Sequence, residues 1–288
     1  MMRAIGGYLV LTKPRIVTLL AFTAYCAMIL AGHRVPGVRE TAAGILGLAM
    51  CAGGSAAINM WYDQDIDAVM KRTRKRPIPT GQVNSFHAFW FGASLTLLGT
   101  VTLLVFATPL SALLGFLGAV YYGVVYTMLL KRRTPQNIVI GGGAGAFPPL
   151  VGYATVTGHL SPAAWWLFLI IFLWTPGHFW ALALYKTDDY QKAGVPMMPV
   201  VRGARMTKWN MLFYSLLLML CVGLGPFIGI RPLLVTVTGL TLTGWFVINH
   251  LYMLRERTSN KFWAKRTFFT SLLVLPALFT VIAISGLL

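Results

Sequence analysis

The sequence predicts an all-α polytopic membrane protein with nine transmembrane helices. Three observations carry this. The 288-residue chain is 57% hydrophobic and only 11% charged, with a mean hydropathy of +0.71, where a soluble domain is nearer about a quarter charged. Apolar runs of about 20 residues, the length that crosses a bilayer as a helix, recur along the whole chain. The runs are continuous, without the alternation that barrel strands show.

In order, the spans are expected near 15–32, 41–60, 86–106, 110–130, 136–156, 163–185, 210–230, 232–253 and 268–287. The first follows Lys13-Pro14-Arg15 and ends at Gly32-His33-Arg34, with no small-residue cleavage site of the kind that marks a signal peptide. The second opens after Glu40 and ends among acids. The third starts at His87, and the fourth stops at Lys131-Arg132-Arg133. The fifth carries Gly141-Gly142-Gly143 and Gly145, read as close helix packing, then Pro148-Pro149, read as a kink. The sixth contains Pro176-Gly177, which should kink or loosen it, and ends at Lys186. The seventh and eighth flank Arg231, and the ninth follows Arg266. Cys26, Cys51 and Cys221 all fall inside spans and are read as small packing residues. No linker divides the chain, so residues 1–288 form one membrane domain.

The net charge of +17 does not signal nucleic acid, because its distribution is that of an oriented membrane protein. Of the 24 Lys and Arg, all but Arg34, Arg39 and Arg231 lie on one side. They stand at the N-terminus (Arg3, Lys13, Arg15) and in the loops after spans 2, 4, 6 and 8. By the positive-inside rule this side is cytoplasmic, the N-terminus with it, and the C-terminus is outside. In a bacterial cell that membrane is the inner one. The acids follow the same side: Asp63, Asp65, Asp67, Asp188, Asp189 and Glu256, with Glu40 alone opposite. Orientation does not require acids, so their clustering needs another reason.

Within "NMWYDQDIDAVMKRTRKRPIPTG", Asn59, Asp63 and Asp67 are four residues apart. Four helical residues turn the face by only about 40° and advance about 6 Å, so the three side chains share one stripe. Asp65 points away. Carboxylates at membrane depth are expensive and usually functional. Two carboxylates and an amide oxygen are hard ligands suited to Mg2+, which completes its shell with substrate phosphates. Lys71, Arg72 and Arg76 follow as candidate diphosphate ligands, joined by Lys131 at the end of span 4. The bland alternative is a solvated helix end. The second cluster, "YKTDDY", argues against it by setting Lys186, Asp188 and Asp189 at the end of span 6 on the same side. Two acidic sites facing one diphosphate follow two-metal logic. His178, just after Pro176-Gly177, is a titratable group near membrane depth. His33 closes the outer end of span 1, and either histidine is a candidate contact for a metal-porphyrin.

These blocks, with "YTMLLKRRTPQNIVIGGGAGAFPPLVGY" and "HFWALALYKTDDYQKAGVPMMPVV", resemble the UbiA-type intramembrane prenyltransferases. Within that superfamily they are most similar to the branch that farnesylates haem. "YKTDDY" departs from the second Asp-rich motif of the other branches. The resemblance implies a UbiA-type prenyltransferase fold, nine helices around a central cavity opening to the cytoplasmic side. It implies farnesyl diphosphate and haem B as substrates, haem O and diphosphate as products, and Mg2+ as cofactor. It assigns Asn59, Asp63 and Asp67 to the metal–diphosphate motif, Asp188 and Asp189 to the second acidic region, and Asp63, Asp67 and Lys186 to catalysis. By analogy alone, it suggests a haem A synthase or a terminal-oxidase assembly as partner. Two rival readings are a UbiA-type enzyme acting on a quinone precursor and a membrane transporter. A transporter would need a polar path across the bilayer, whereas these acids crowd one face.

Overall fold

The computed structural model describes residues 2–230, 232–257 and 260–288. Among them, nine helices are long and apolar enough to cross a membrane, matching the expected number. The spans are α2 (Pro14–Gly32), α3 (Val38–Tyr62), α5 (Ser85–Phe106), the helix Pro109–Leu130, Asn137–Thr157, α9 (Pro162–Tyr185), α12 (Gly203–Gly223), Leu233–Arg255 and α14 (Phe262–Leu287). The fourth begins as α6 (Pro109–Val120), and the fifth is built from α7 (Asn137–Gly141) and α8 (Gly143–Thr157). The eighth belongs to α13 (Pro232–Arg255). The other short helices, α1 (Met2–Leu11), α4 (Gln64–Val69), α10 (Thr187–Lys192) and α11 (Met198–Val201), all fall at the span ends where the basic residues lie. Arg231, assigned above to the opposite side, lies outside the described residues.

Successive spans pack on one another, and α14 returns to pack against α2, so the bundle closes on itself. The α3–α5 pair is the most extensive, and glycine makes it so: a Cβ on Gly92 would stand 2.7 Å from the Gly54 carbonyl oxygen. Backbones that close gain packing without a hydrophobic driving force, as helices in lipid must. Leu97, Leu104 and Val105 on α5 stay exposed, a face suited to hydrocarbon. Cys26, Cys51 and Cys221 are buried and unpaired, as expected.

Two boundaries change. The seventh span starts at Gly203, about two turns before the expected 210, because Lys208 is buried rather than in a loop, its Nζ donating to the Glu256 carbonyl at 2.7 Å. The ninth starts at Phe262, with Arg266 stacked 4.8 Å from the Trp263 ring centre at its first turns. Such long cations keep their heads at the interface while the helix runs on. Pro148, Pro149 and Pro176 lie inside helices that continue through them.

One apolar cluster positions the acidic region. Ile66 and Met70 of α4 and its C-cap pack with Trp180 and Leu184 of α9 and with Tyr190, Met197 and Met198. The end of span 2 is thereby held against the end of span 6.

Candidate active site

Helix α3 stops at Tyr62 and α4 starts at Gln64, with Asp63 between them at φ −88°, ψ 10°. The helical hydrogen bonds persist across this junction: Asp63 N–H to Asn59 O at 3.0 Å and Asp67 N–H to Asp63 O at 2.8 Å. Asn59, Asp63 and Asp67 therefore keep the common face that their spacing predicts. All three are buried, at 3%, 0% and 2% exposure. Asp65 points outward as expected, its side chain 62% exposed. Arg132 grips it with two hydrogen bonds of 2.8 and 2.7 Å and holds its carboxyl below the usual range.

Two buried carboxylates cost several kcal/mol each unless paired. Cations from three separate segments supply the pairing. Lys131 Nζ donates to Asp63 Oδ2. Arg76 donates to Asp67 Oδ2 at 2.6 Å. Lys13 Nζ donates to Asn59 Oδ1 at 2.7 Å and to the Tyr122 hydroxyl at 3.0 Å. Asn59 in turn donates to Asp63 Oδ2 at 2.8 Å and to Thr127 Oγ1 at 3.1 Å. Arg132 Nη2 stands 3.6 Å from Asp63 Oδ1. Burial lowers the Lys13 ammonium to about 7, with the nearby Arg76 charge adding to the effect. Lys13 also holds a left-handed backbone, φ 50°, just before Pro14, a conformation costly for a non-glycine residue.

The far wall of the site is a π-helix, Tyr121–Leu130, continuing α6. In an α-helix Tyr122 and Lys131, nine residues apart, would face opposite ways at about 100° per residue. The wider i→i+5 turn, about 80° per residue, returns them to one side. Thr127 Oγ1 bonds the Tyr122 carbonyl at 2.8 Å, and Lys131 N–H bonds the Tyr126 carbonyl at 2.8 Å, both five residues back. Tyr122, Thr127 and Lys131 thus all reach Asn59 or Asp63, directly or through Lys13. Such π segments concentrate at functional sites.

The second acidic cluster is arranged differently. Asp188 is 80% exposed and faces Lys261 at 3.6 Å, turned toward the loop after α13. Asp189 is half-buried beside the buried Tyr190, which faces Arg72. Burial pushes the Tyr190 hydroxyl up. Lys186 caps α9, its Nζ 4.5 Å from the Tyr185 ring centre. Lys71 and Arg72 are exposed beyond α4. Among the described residues no three His, Cys, Asp or Glu side chains gather into a ready-made metal centre. Asp63 and Asp67 therefore do not share one cluster with Asp188 and Asp189; the sequence predicts two separate acidic sites facing one diphosphate.

His33 and His178 do not share a site. His33 lines a cavity of about 480 Å³ at the end of the bundle opposite the acids, with Tyr153, Ser161 and the C-terminal residues. His178 lies on α9, about 24 Å along the axis from the Pro162 end by its sixteen-residue offset. The Tyr62 ring is covered by the Arg132 guanidinium at 4.7 Å.

The first cluster fits a hard divalent cation. Asp63 Oδ1 is buried with no hydrogen-bond partner, which leaves one carboxylate oxygen unused. Asn59 reaches a metal only if Lys13 releases its Oδ1. Arg132 is shared with Asp65, so four cations meet three carboxylates, a surplus of at most one charge, to which the exposed Lys71 and Arg72 add for an incoming anion. Lys13, Tyr122, Thr127 and Arg132 belong to this site although the motif reading does not select them. Lys13 and Arg132 look like orientation charges in sequence, and only Lys13's place before Pro14 at a span end hints at more.

The UbiA prenyltransferase family pattern matches residues 20–273. The chain is 49% identical over 279 residues to the protoheme IX farnesyltransferase of Symbiobacterium thermophilum, covering 96% of this chain and 93% of that protein. It is 47% identical to that of Beijerinckia indica, covering 98% and 88%. Among solved structures it resembles a digeranylgeranylglyceryl phosphate synthase (TM-score 0.79, 17% identity, 100% and 99% coverage). It also resembles a UbiA homolog from Archaeoglobus fulgidus bound to DMAPP and Mg2+ (TM-score 0.65, 18% identity, 96% and 99% coverage). With sequence pattern, full-length relatives and fold in accord, this chain belongs to the UbiA prenyltransferase family.

Proposed function

We propose that the protein transfers the farnesyl group of farnesyl diphosphate to a vinyl group of haem B, with addition of water, giving haem O and diphosphate. The acceptor reading rests on the relatives named protoheme IX farnesyltransferase at 49% and 47% identity over nearly the whole chain. The donor reading rests on the stripe of Asn59, Asp63 and Asp67, buried and ringed by Lys13, Arg76, Lys131 and Arg132.

Asn59, Asp63 and Asp67 would hold Mg2+, with Asp63 Oδ1 as the free oxygen. Asp189 is the better candidate than Asp188 for the second acidic contact, since it is half-buried. When bound, Mg2+ supplies Lewis-acid charge for the leaving diphosphate. Lys131, Lys13 and Arg76 stand within reach of the same anion and neutralise charge as the carbon–oxygen bond breaks, its electron pair leaving with diphosphate. Lys71, Arg72 and Lys186, at the rim, draw the anion in. The apolar bundle excludes water from the allylic cation until the vinyl carbon attacks. The resulting carbocation takes a water molecule and loses a proton, which completes the hydroxyethylfarnesyl group. The basic ends face the cytoplasm of a bacterial inner membrane in this reading.

The test is product analysis. Purified protein with haem B, farnesyl diphosphate and Mg2+ is expected to form haem O, identified by chromatography and mass. Absence of haem O from folded protein, with another aromatic acceptor prenylated instead, overturns the acceptor assignment.

A further inference from the structure

Three histidines lie in or at the ends of the helices α2, α9 and α13 with no part in the diphosphate chemistry: His33, His178 and His250. Their surroundings separate them. His33 opens on the cavity at the opposite end of the bundle, far from the acids. His250 is fully buried, its Nδ1 at 2.8 Å from the Phe246 carbonyl, and its unpartnered Nε2 is sealed against Gly177, where even a Cβ would come within 3.2 Å. No ligand enters there without displacing α9.

His178 is built differently. Its ring is clamped between Trp174, stacked at 4.3 Å and 15°, and Phe268, at 4.9 Å and 27°. Trp174 Nε1 donates to the Ser271 carbonyl at 3.2 Å, tying the clamp to α14. His178 Nδ1 lies 2.6 Å from Ser271 Oγ. The direction of that bond follows from the next one. Ser271 Oγ is also 2.5 Å from the Phe268 carbonyl, which only accepts, so the single hydroxyl proton is committed there. Ser271 Oγ must therefore accept from Nδ1–H. In the neutral ring, which an aromatic slot favours over a charged one, the lone pair is then on Nε2. Among the described residues Nε2 has no hydrogen-bond partner, and it is not among the sealed, unpartnered atoms.

We infer that His178 Nε2 is the axial ligand to the iron of the haem acceptor, with Ser271 as the positioning residue that fixes its tautomer and ring plane. An imidazole with one nitrogen held by an acceptor and the other free is the usual form of a metal-bound histidine. His178 lies seven residues, about 10 Å, from the end of α9. An iron held there would lie within the apolar bundle, on the same helix whose far end carries Lys186. The inference rests on the haem reading of the acceptor.

The experiment compares haem B with iron-free protoporphyrin IX on the purified full chain, by titration and by absorption and resonance Raman spectra. The wild type is expected to bind haem more tightly than protoporphyrin and to show an iron–histidine stretch when reduced. His178→Ala should lose that band, bind both porphyrins alike, and weaken for haem by on the order of 100-fold. Added imidazole should restore the band. His178→Phe, which keeps the stack with Trp174 and Phe268, should behave like the alanine variant without imidazole rescue, and Mg2+-dependent farnesyl diphosphate binding checks that both are folded. Ser271→Ala should keep the band but lower its frequency, with about tenfold weaker haem binding. An unchanged band and unchanged haem preference in both folded His178 variants overturns the ligand assignment while leaving haem as acceptor. A wild type that binds neither porphyrin overturns the haem reading itself.

Discussion

The ends of spans 2 and 6 carry similar charges but are built in opposite ways. At the end of span 2, Asn59, Asp63 and Asp67 are buried and paired before any ligand arrives, with Arg76 from the loop that follows and Lys13 and Lys131 from distant parts of the chain. At the end of span 6, Asp188 is 80% exposed and faces Lys261 at 3.6 Å. Buried carboxylates cannot stand alone, so they organise cations around themselves, whereas exposed ones are screened by water and organise little. The first cluster is preorganised, and whatever the second adds must be ordered by the substrate.

The largest test of that contrast is Asp63→Asn or Asp67→Asn against Asp188→Asn. Either of the first two is expected to cut farnesyl transfer about a thousandfold. Asp188→Asn should stay within about threefold, as an exposed pair allows. Equal losses at Asp63 and Asp188 in turnover assays would break the comparison.

Next come the cations. Lys131→Met is expected to lower kcat on the order of 100-fold by removing a charge aimed at the leaving group. Lys13→Met should act about tenfold and mainly on KM for farnesyl diphosphate. It also frees Asn59 Oδ1, so the Mg2+ requirement should not rise. A higher Mg2+ requirement would show that Lys13 supports the metal rather than standing in its way.

A smaller effect is expected from Thr127→Val. It removes the hydroxyl that accepts from Asn59 at 3.1 Å and should cost about 1–2 kcal/mol in unfolding experiments. The smallest belongs to Asp65→Asn, off the stripe, which should leave turnover nearly unchanged. Arg132 holds the Asp65 carboxyl below its ordinary 3.8, so its contribution to stability is present above that pH and is lost as pH falls through the lowered value. Thermal unfolding between pH 5 and 3 should show a slightly shallower acid loss in the variant than in the wild type.

Much of this was legible locally. The nine spans, their alternation and the common face of Asn59, Asp63 and Asp67 depend on hydropathy and on the helical repeat, which neighbours along the chain determine. So does the outward direction of Asp65. Boundaries failed where a charged side chain was buried or snorkelled, as at Lys208 and Arg266, because hydropathy counts a lysine as polar wherever its amine finds a carbonyl.

The tertiary structure alone decided which cations meet the acids. Lys13, Arg76 and Lys131 come from three segments, and no spacing rule brings them to one point. The π-helical turn that puts Tyr122 and Lys131 on one side has no signature in hydropathy, since it trades helix geometry against contacts made elsewhere. The choice among His33, His178 and His250 is likewise long-range: it turns on one serine proton in α14, committed to Phe268, that leaves the Nε2 lone pair of His178 free. Local pattern thus determined where the charges lie along the membrane normal, and packing between distant helices decided which of them act together.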